Sequence, residues 1–249
     1  MPSNSSDQNG LKFHSVWDRS TRIFHWVNVL CIIGLVAVGT VILNGKLLGV
    51  SGDGKILLKE VHVYIGYLFA LNLSWRIIWG FIGNKYSRWS SILPFTAGYS
   101  SALKEFIAAE KTTNPKQYLG HNPLARLMVS LLFILLTTQA ITGLVLAGTD
   151  VYMPPFGNNI AEWVAEKDQN GNPVAIKAGS KEGVNKEAYA EMRSFRKPYI
   201  QVHYFAFYIL LAAIFIHIAF VIFTEVKDKN GLISAMFTGN KITSKKPED

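Results

Sequence analysis

The sequence predicts an all-α membrane protein, a bundle of four transmembrane helices with both termini in the cytoplasm. Of its 249 residues, 49% are hydrophobic and only 17% are charged, a charged fraction well below that of ordinary soluble domains. Four segments are each long and apolar enough to cross the roughly 30 Å hydrocarbon core of a bilayer. Their length and uniform hydrophobicity exclude membrane-spanning β-strands, which are shorter and alternate in polarity.

The predicted spans are residues 23–43, 61–83, 124–147 and 199–224. We interpret residues 1–249 as one membrane domain, because no internal repeat or low-complexity tract divides the chain. The polar amino-terminal segment lacks the pattern of a cleaved signal peptide, so the first span itself is expected to direct insertion.

Three connections join the spans, and each has its own character. The first, residues 44–60, is rich in glycine and predicts turns. The second contains residues 100–111, whose apolar side chains recur at helical spacing, which predicts a helix on the membrane surface. The third is the predicted periplasmic loop, residues 148–198, with a short helix at 185–196. Loops of this length are usually functional or disordered, and we favour a docking surface.

The distribution of basic residues predicts the orientation. The amino-terminal tail, the second connection and the carboxyl-terminal tail, counted together with Arg76, hold 15 of the 25 Lys and Arg residues. Basic residues accumulate on the cytoplasmic side of membrane proteins, so both termini are predicted to be cytoplasmic. The net charge of +8 then reflects topology and contact with anionic membrane lipids. No motif for nucleic-acid binding is found, so we expect no nucleic acid partner.

Four of the six histidines fall inside spans, and they pair by depth. His203 and His217 lie 14 residues apart on the fourth span. In an α-helix this separation is about 21 Å along the axis with an offset of roughly 40°, so both imidazoles face the same way. With the predicted orientation, His62 lies at the periplasmic level of His203, and His25 at the cytoplasmic level of His217.

Two imidazoles at each level indicate two haems with histidine axial ligands. A single histidine in a membrane helix is more often a hydrogen-bonded packing residue, but four that pair by depth are hard to explain by packing. A directly bound zinc ion requires three or four protein or water ligands at one level. A haem requires only the two axial ones, because the porphyrin nitrogens fill the other positions. One iron is thus predicted to be ligated by His62 and His203, and the other by His25 and His217.

Four glycines on the spans fit the same hypothesis, since glycine lets a flat macrocycle approach the backbone. Small residues also permit close packing of membrane helices, so the glycines alone do not decide between these readings. They are Gly34, Gly39, Gly66 and Gly143.

Several polar residues near the predicted cytoplasmic face are further candidates. Arg76, a full charge inside a span, could bind a haem propionate or extend to lipid phosphates. Asn122 and Pro123 predict the amino-terminal cap and first residue of a helix. His121 is expected to be interfacial, with a role at a quinone headgroup open for it and for Asn122. His14 precedes the first span and is expected to be solvated.

The chain resembles the prokaryotic di-haem cytochrome b family, the b-type cytochrome subunits of membrane-bound nickel–iron hydrogenases, formate dehydrogenases and related thiosulfate-reducing enzymes. The resemblance covers nearly the whole chain. The motifs that carry it are VWDRSTRIFHW (16–26), EVHVYIGY (60–67), RIIWGFIG (76–83), GHNPLARLM (120–128) and HYFAFYILLAAIFIH (203–217). The long third connection is most similar to the hydrogenase branch.

The resemblance implies a location, a set of ligands and a function. The protein would be a multi-pass protein of the bacterial cytoplasmic (inner) membrane with two haem b groups, ligated by the histidine pairs named above. Electrons would pass from a periplasmic partner with iron–sulfur clusters or c-type haems, most like a nickel–iron hydrogenase, through both haems to a quinone. Asn122 lies where the quinone-side loop of the family meets the third span. The chain would be an electron-transfer and membrane-anchor subunit of an oxidoreductase complex in the respiratory chain.

Two other functions stay open at this point. One is a stand-alone quinol oxidase module that reduces a c-type cytochrome. The other is a proton or metal transporter that uses the intramembrane histidines, although such proteins have carboxylates or broken helices at mid-membrane, and neither is evident here. No residue set suggests hydrolysis or group transfer. The sequence also leaves open whether the chain forms a homo-oligomer within a larger complex.

Overall fold

The computed structural model describes residues 12–110, 116–243 and 246–249, and it is mostly helical. Four of its helices are long and apolar enough to cross a membrane, which confirms the predicted fold class. In chain order the elements are β1 (Lys12–Ser15), α1 (Arg19–Leu43), α2 (Gly52–Ile82), α3 (Trp89–Ile92), α4 (Tyr99–Ala109), α5 (Pro123–Val151), α6 (Gly157–Val164), α7 (Lys186–Asp228), α8 (Leu232–Thr238) and β2 (Asn240–Thr243).

The chain forms two compact units, and each long helix contributes to both. Unit 1 comprises the described residues of Met1–Trp26, Ser74–Ile134 and Leu210–Asp249. Unit 2 comprises Val27–Leu73 and Leu135–Ile209. The interpretation of the whole chain as one domain stays a prediction.

The first two long helices begin at side-chain caps. The Oδ1 atom of Asp18 accepts a hydrogen bond of 2.7 Å from the backbone N–H of Thr21 at the start of α1. The hydroxyl of Ser51 accepts one of 3.1 Å from the N–H of Gly54 at the start of α2. Because Asp53 adds a negative charge to the first turn of α2, the helix dipole also favours this start.

The start of α2 corrects one prediction. Residues 44–60 were expected to form turns, but residues 52–60 are already helical, and the turn is limited to residues 44–51. The physical reason is the position of Gly52 and Gly54. Both fall in the first helical turn, where glycine weakens a helix little and the serine cap supplies a hydrogen bond.

Helix α5 begins as the sequence predicted and ends later. The side-chain oxygen of Asn122 accepts a hydrogen bond of 2.7 Å from the N–H of Ala125, and Pro123 is the first helical residue, so the predicted cap is confirmed. The helix continues past residue 147 to Val151. Near that end the hydroxyl of Thr149 donates to the carbonyl of Val145 at 3.0 Å.

Helix α7 corrects a second prediction, the boundary between the short helix and the fourth span. A short helix at 185–196 and a separate span from residue 199 were expected, but Lys186–Asp228 is one helix of 43 residues that contains Pro198. A proline removes only one backbone hydrogen bond, the one to the carbonyl four residues earlier. The side chain of Asn185 caps the helix by accepting from the N–H groups of Glu187 at 3.1 Å and Ala188 at 3.0 Å.

The predicted loop 148–198 is therefore partly ordered into helices. It contains the end of α5, all of α6 and the first turns of α7. Between α6 and α7 the chain forms two isolated antiparallel bridges, Ala165 with Val184 and Lys167 with Pro173. An ion-pair cluster in unit 2 joins three helices, because Asp150 of α5 contacts Lys59 of α2 at 2.6 Å and also Arg196 of α7.

A small sheet in unit 1 was not predicted. Strands β1 and β2 pair antiparallel, with Lys12 opposite Thr243. His14 lies in this sheet, and its Nε2 is 3.1 Å from the hydroxyl of Thr243, so the expectation that it is simply solvated is wrong. Beside the sheet lies a buried cluster of Val16, Trp17, Leu119 and Ala235.

The predicted surface helix is present as α4. It spans Tyr99–Ala109, whereas the sequence predicted 100–111, whose last residue lies outside the described residues. Its Phe106 is buried, while Ile107 stays exposed. The position of this helix at a membrane surface stays a prediction.

Candidate haem-binding sites

Unit 2 brings together two of the four predicted ligands. His62 of α2 and His203 of α7 face each other with ring centroids 6.4 Å apart and ring planes at 72°. They are far apart in the sequence but lie on two helices of the same unit. The pairing predicted for these two residues is therefore present in the structure.

The separation of the two rings matches what a haem iron requires. A metal-bound imidazole nitrogen lies about 2.0 Å from the metal and the ring centre about 1.2 Å further, so two axial imidazoles place their ring centres about 6.4 Å apart. The observed centroid distance is 6.4 Å. Direct contact between two stacked or hydrogen-bonded histidine rings would bring the centroids closer. The geometry of this pair thus fits the group that the sequence predicts.

The two imidazoles are held in different ways. The Nδ1 atom of His203 lies 2.8 Å from the hydroxyl of Thr142 on α5, and the backbone carbonyl of His203 accepts a hydrogen bond of 2.9 Å from the side-chain amide of Gln139. The Nδ1 atom of His62, in contrast, is buried and has no hydrogen-bond partner within residues 12–110, 116–243 and 246–249. His203 is thus fixed by polar contacts and His62 by packing alone.

The glycines near this pair differ in what they face. A Cβ atom added at Gly39 would lie 3.2 Å from Cε1 of His62, and one at Gly143 would lie 3.5 Å from Cε1 of His203. A Cβ added at Gly66 would meet nothing within 4 Å. Gly34 faces the side chain of Ile65 instead. Two glycines therefore make room for the imidazoles, whereas no described atom lies close to the Cβ position of Gly66.

The second histidine pair lies in unit 1. His25 of α1 and His217 of α7 are near enough to interact electrostatically. The ring of His25 stands edge-on to Trp26, with centroids 5.2 Å apart, and its Nδ1 is buried without a hydrogen-bond partner. The structure thus places the second predicted pair close together. Nδ1 of His25 forms no hydrogen bond with any residue that the structure describes.

Arg76 is packed inside unit 1. It is 3% exposed, so its guanidinium does not extend to lipid phosphates as one sequence-based alternative had it. Its Nη2 donates to the carbonyl of Ser87 at 2.9 Å, and the guanidinium lies 5.4 Å from the ring centroids of both Trp89 and Phe133. Its Nη1 is buried and has no hydrogen-bond partner among the described residues. The N–H of this atom can therefore donate to an acceptor such as a carboxylate.

A polar network links Arg76 to the start of α1. The Oδ2 atom of Asp18 accepts hydrogen bonds from Nε1 of Trp79 at 3.0 Å and from the hydroxyl of Ser87 at 2.8 Å. Burial acts to raise the pKa of the Asp18 carboxyl, but the hydrogen bonds it accepts outweigh this and leave the pKa below its usual value. Asp18 is therefore an anion that attracts Arg76.

His121 and Asn122 lie just before α5. The ring of His121 is 4.9 Å from that of Trp17, and its Nδ1 is buried without a hydrogen-bond partner. Burial, followed by repulsion from Lys241, lowers the pKa of His121 to about 3. His121 is therefore neutral at ordinary pH, whereas the side-chain oxygen of Asn122 is already used to cap the helix.

A directly bound metal ion finds no ligand set in the part of the chain that the structure describes. There, no group of three or more His, Cys, Asp or Glu side chains is placed to hold an ion. Each histidine pair offers two nitrogen ligands, which suits the two axial positions of a haem.

Sequence reasoning missed two of the residues around these sites. Thr142 was not singled out, although it lies one turn beyond Thr138 in a span where polar residues are few. Lys241 lies in a carboxyl-terminal segment, and no sequence pattern indicates that this segment lies near His121. Only the folded chain brings it there.

The fold and the paired histidines define the general class, an integral-membrane cytochrome of the b type. A family model described as prokaryotic cytochrome b561 matches residues 16–239. The chain belongs to the prokaryotic cytochrome b561 family, whose cofactor is haem b.

Curated relatives carry consistent names. A probable Ni/Fe-hydrogenase B-type cytochrome subunit of Rhizobium leguminosarum bv. viciae is 25% identical over 240 residues, covering 91% of this chain and 88% of the relative. A probable Ni/Fe-hydrogenase 1 B-type cytochrome subunit of Escherichia coli K12 is 33% identical over 144 residues, or 53% of this chain and 60% of the relative. The match to the corresponding protein of Cupriavidus necator is 28% over 162 residues, 62% of this chain and 66% of the relative. No solved structure matches the chain.

Proposed function

We propose that this protein is a di-haem cytochrome b that carries electrons between a periplasmic nickel–iron hydrogenase and the quinone pool of the bacterial inner membrane. The observation that carries the proposal is the His62–His203 pair, whose centroid distance of 6.4 Å suits two axial ligands of one iron. The assignment of a hydrogenase as the partner rests on the names of the relatives, which are probable Ni/Fe-hydrogenase B-type cytochrome subunits.

The residues of the chain hold, orient and shield the two haems. His62 and His203 bind one iron, and His25 and His217 bind the other. When bound, haem b supplies one-electron transfer. The apolar helices around each pair keep water out, and a low-dielectric setting of this kind helps set the potential of a haem. In unit 1, Nη1 of Arg76 has no hydrogen-bond partner in the described part of the chain and would donate to a haem propionate.

The hydrogenase docks on the predicted periplasmic segment, which includes α6 and the first turns of α7. Apolar and aromatic side chains stand exposed there, including Phe156 at 47%, Trp163 at 40% and Phe195 at 43%. Exposed apolar side chains mark an interaction site when they adjoin one another in a patch. The ring of Phe195 lies 6.1 Å from that of Trp163 and 5.2 Å from that of Tyr199, so these residues form one connected patch.

The quinone binds near the second histidine pair, beside His121 and Asn122. Neutral His121 can accept or donate one hydrogen bond, and its Nδ1 is not used within the described part of the protein. The amide N–H₂ of Asn122 is a second donor, because its oxygen is already engaged in the helix cap.

The topology of this proposal can be tested by reporter fusions. The excess of basic residues predicts cytoplasmic termini. A fluorescent protein fused after Asp249 should therefore fold and fluoresce, whereas alkaline phosphatase inserted at Gly171, in the segment between α6 and α7, should be active. The reverse result at both positions would reject the orientation.

Hydrogen-dependent reduction tests the function itself. In membranes that contain the cognate hydrogenase, hydrogen gas should reduce the b-type absorption bands, and added quinone should reoxidise them. His62→Ala should abolish quinone reduction. The hydrogenase should still oxidise hydrogen when an artificial dye accepts the electrons. If the bands respond only to a c-type cytochrome and never to hydrogen, the stand-alone quinol oxidase replaces this proposal.

A further inference from the structure

Helix α5 contacts His203 at two points, the ring and the backbone. The hydroxyl of Thr142 lies 2.8 Å from Nδ1 of the ring, and the amide of Gln139 donates to the backbone carbonyl at 2.9 Å. Thr142 is only 5% exposed, so water does not compete for its hydroxyl. One helix thus determines the direction in which the imidazole of another points.

The proton of the Thr142 hydroxyl is already committed. The hydroxyl oxygen of Thr142 lies 2.7 Å from the carbonyl oxygen of Thr138 and 3.4 Å from that of Gln139, and it donates to them. Carbonyl oxygens only accept hydrogen bonds, and a hydroxyl has a single proton to donate. The hydroxyl therefore presents a lone pair to His203, and Nδ1 must be the donor.

This hydrogen-bond pattern fixes the tautomer of His203. A neutral imidazole carries one proton, so a proton on Nδ1 leaves Nε2 without one. The tautomer is assigned from the hydrogen-bond network, as is usual for histidine. The lone pair of Nε2 is the one that an iron needs.

We propose that Thr142 is a positioning residue that holds His203 in the Nε2-ligating tautomer and makes it the more basic of the two axial ligands. The inference rests on the proposed function, because it requires a haem at this pair. The opposite ligand lacks such support, since Nδ1 of His62 has no hydrogen-bond partner among the residues that the structure describes and its ring is confined by Gly39. Hydrogen bonds of this kind raise the basicity of a metal-bound imidazole and keep its ring in place.

A set of threonine variants in the full-length protein tests this assignment. Thr142→Val keeps the shape but removes the acceptor, whereas Thr142→Ser keeps the acceptor. Thr149→Val is the matched control. Thr149 is a buried threonine of the same helix, and its hydroxyl likewise donates to the carbonyl four residues earlier.

The measurements are the haem content, the rate of haem loss to an excess of an apo-haem acceptor protein, and the midpoint potentials of the haems. We expect Thr142→Val to weaken retention of one haem by about 10- to 100-fold. We also expect it to raise the potential of that haem, because a less basic ligand stabilises ferric iron less. Thr142→Ser and Thr149→Val should behave like the unmodified protein. If the Thr142→Val protein does not accumulate, Thr142→Cys replaces it in the experiment. The sulfur of cysteine is a weak hydrogen-bond acceptor, so we expect the same changes in haem retention and midpoint potential, but smaller.

The outcomes separate this inference from the function on which it rests. If Thr142→Val holds both haems with the retention and potentials of Thr149→Val, the positioning role is wrong while the di-haem function stands. If the unmodified protein binds no haem, the proposed function fails, and the role of Thr142 fails with it.

Discussion

His62 and His203 show two ways of holding an imidazole inside a membrane helix bundle. Thr142 gives His203 a hydrogen-bond acceptor at 2.8 Å. His62 is held by the shape of its surroundings, because a Cβ atom at Gly39 would lie only 3.2 Å from its ring. A ligand held by packing alone is sensitive to added volume, whereas one held by a hydrogen bond is sensitive to loss of the acceptor.

This difference gives a prediction for Gly39→Ala. Alanine favours a helix over glycine by about 1 kcal/mol, so the helix itself is not weakened by the change. The added methyl group should displace the ring of His62 and lower the occupancy of one haem, measured as haem per protein in the purified chain. Gly34→Ala on the same helix is the control, because its methyl group meets the flexible end of Ile65 at 3.3 Å. Equal haem content in both variants would show that Gly39 has no special role.

At the level of single residues, the sequence predicted the histidines as candidate ligands, but not the residues that hold their side chains in place. Histidines in apolar spans are conspicuous, and the separation of His203 and His217 on one helix follows from helical geometry alone. The contact of Thr142 with His203 depends on how α5 is rotated against α7. No local pattern encodes that rotation, since threonine is also common in membrane helices for packing.

Strand β2 carries an unusual buried lysine, and its effect on stability should depend on pH. Lys241 is 2% exposed, and its ammonium group donates to the carbonyls of Gly120 at 3.2 Å and Tyr118 at 3.4 Å. Burial lowers the pKa of Lys241 from 10.5 to about 8. Between these values the unfolded chain binds a proton that the folded chain lacks, so stability rises with pH through this window.

Lys241→Met should remove this pH dependence. Measured by thermal unfolding between about pH 8 and about pH 10, the unmodified protein should gain stability relative to the variant, on the order of 1–3 kcal/mol. The exposed Lys246→Met serves as the control and should follow the unmodified protein. A constant difference between Lys241→Met and the unmodified protein across this range would contradict the role given to burial.

Helix α7 shows where rules for single elements fail. Proline usually marks a boundary, and this rule placed a break at Pro198. Helix α7 runs through it, because the loss is local and the helix of 43 residues continues with its own hydrogen bonds on both sides of the proline. The caps at Asp18 and Asn122 were recognisable because they act within three residues. The pairing of β1 with β2 was not, because the strands lie at opposite ends of the sequence.

Pro198→Ala should accordingly stabilise the protein. Alanine restores the missing N–H group, and proline in a helix interior costs about 3 kcal/mol, so thermal unfolding should occur at a higher temperature. Pro123→Ala is the matched control, because the first helical residue has no intrahelical acceptor for its N–H, and little gain is expected. Lower stability of Pro198→Ala would mean that the proline serves the structure in another way.

For the whole molecule, the central question is how many haems the protein binds. One pair lies in each compact unit, His25 with His217 in unit 1 and His62 with His203 in unit 2. The fold class and the pairing could be predicted because span length and helical spacing are local properties of a sequence. The partner protein and a quinone site were expected only from the family resemblance, because span length and helical spacing carry no information about surfaces that form once the chain has folded.

Haem quantification on the purified protein, combined with single histidine variants, tests this account most directly. The unmodified chain should contain two b-type haems, and His203→Ala and His25→Ala should each retain one. Since the two variants remove ligands from different pairs, the haem that remains should differ in its visible spectrum and midpoint potential. A protein with no haem, or one in which both variants lose the same haem, would contradict the account.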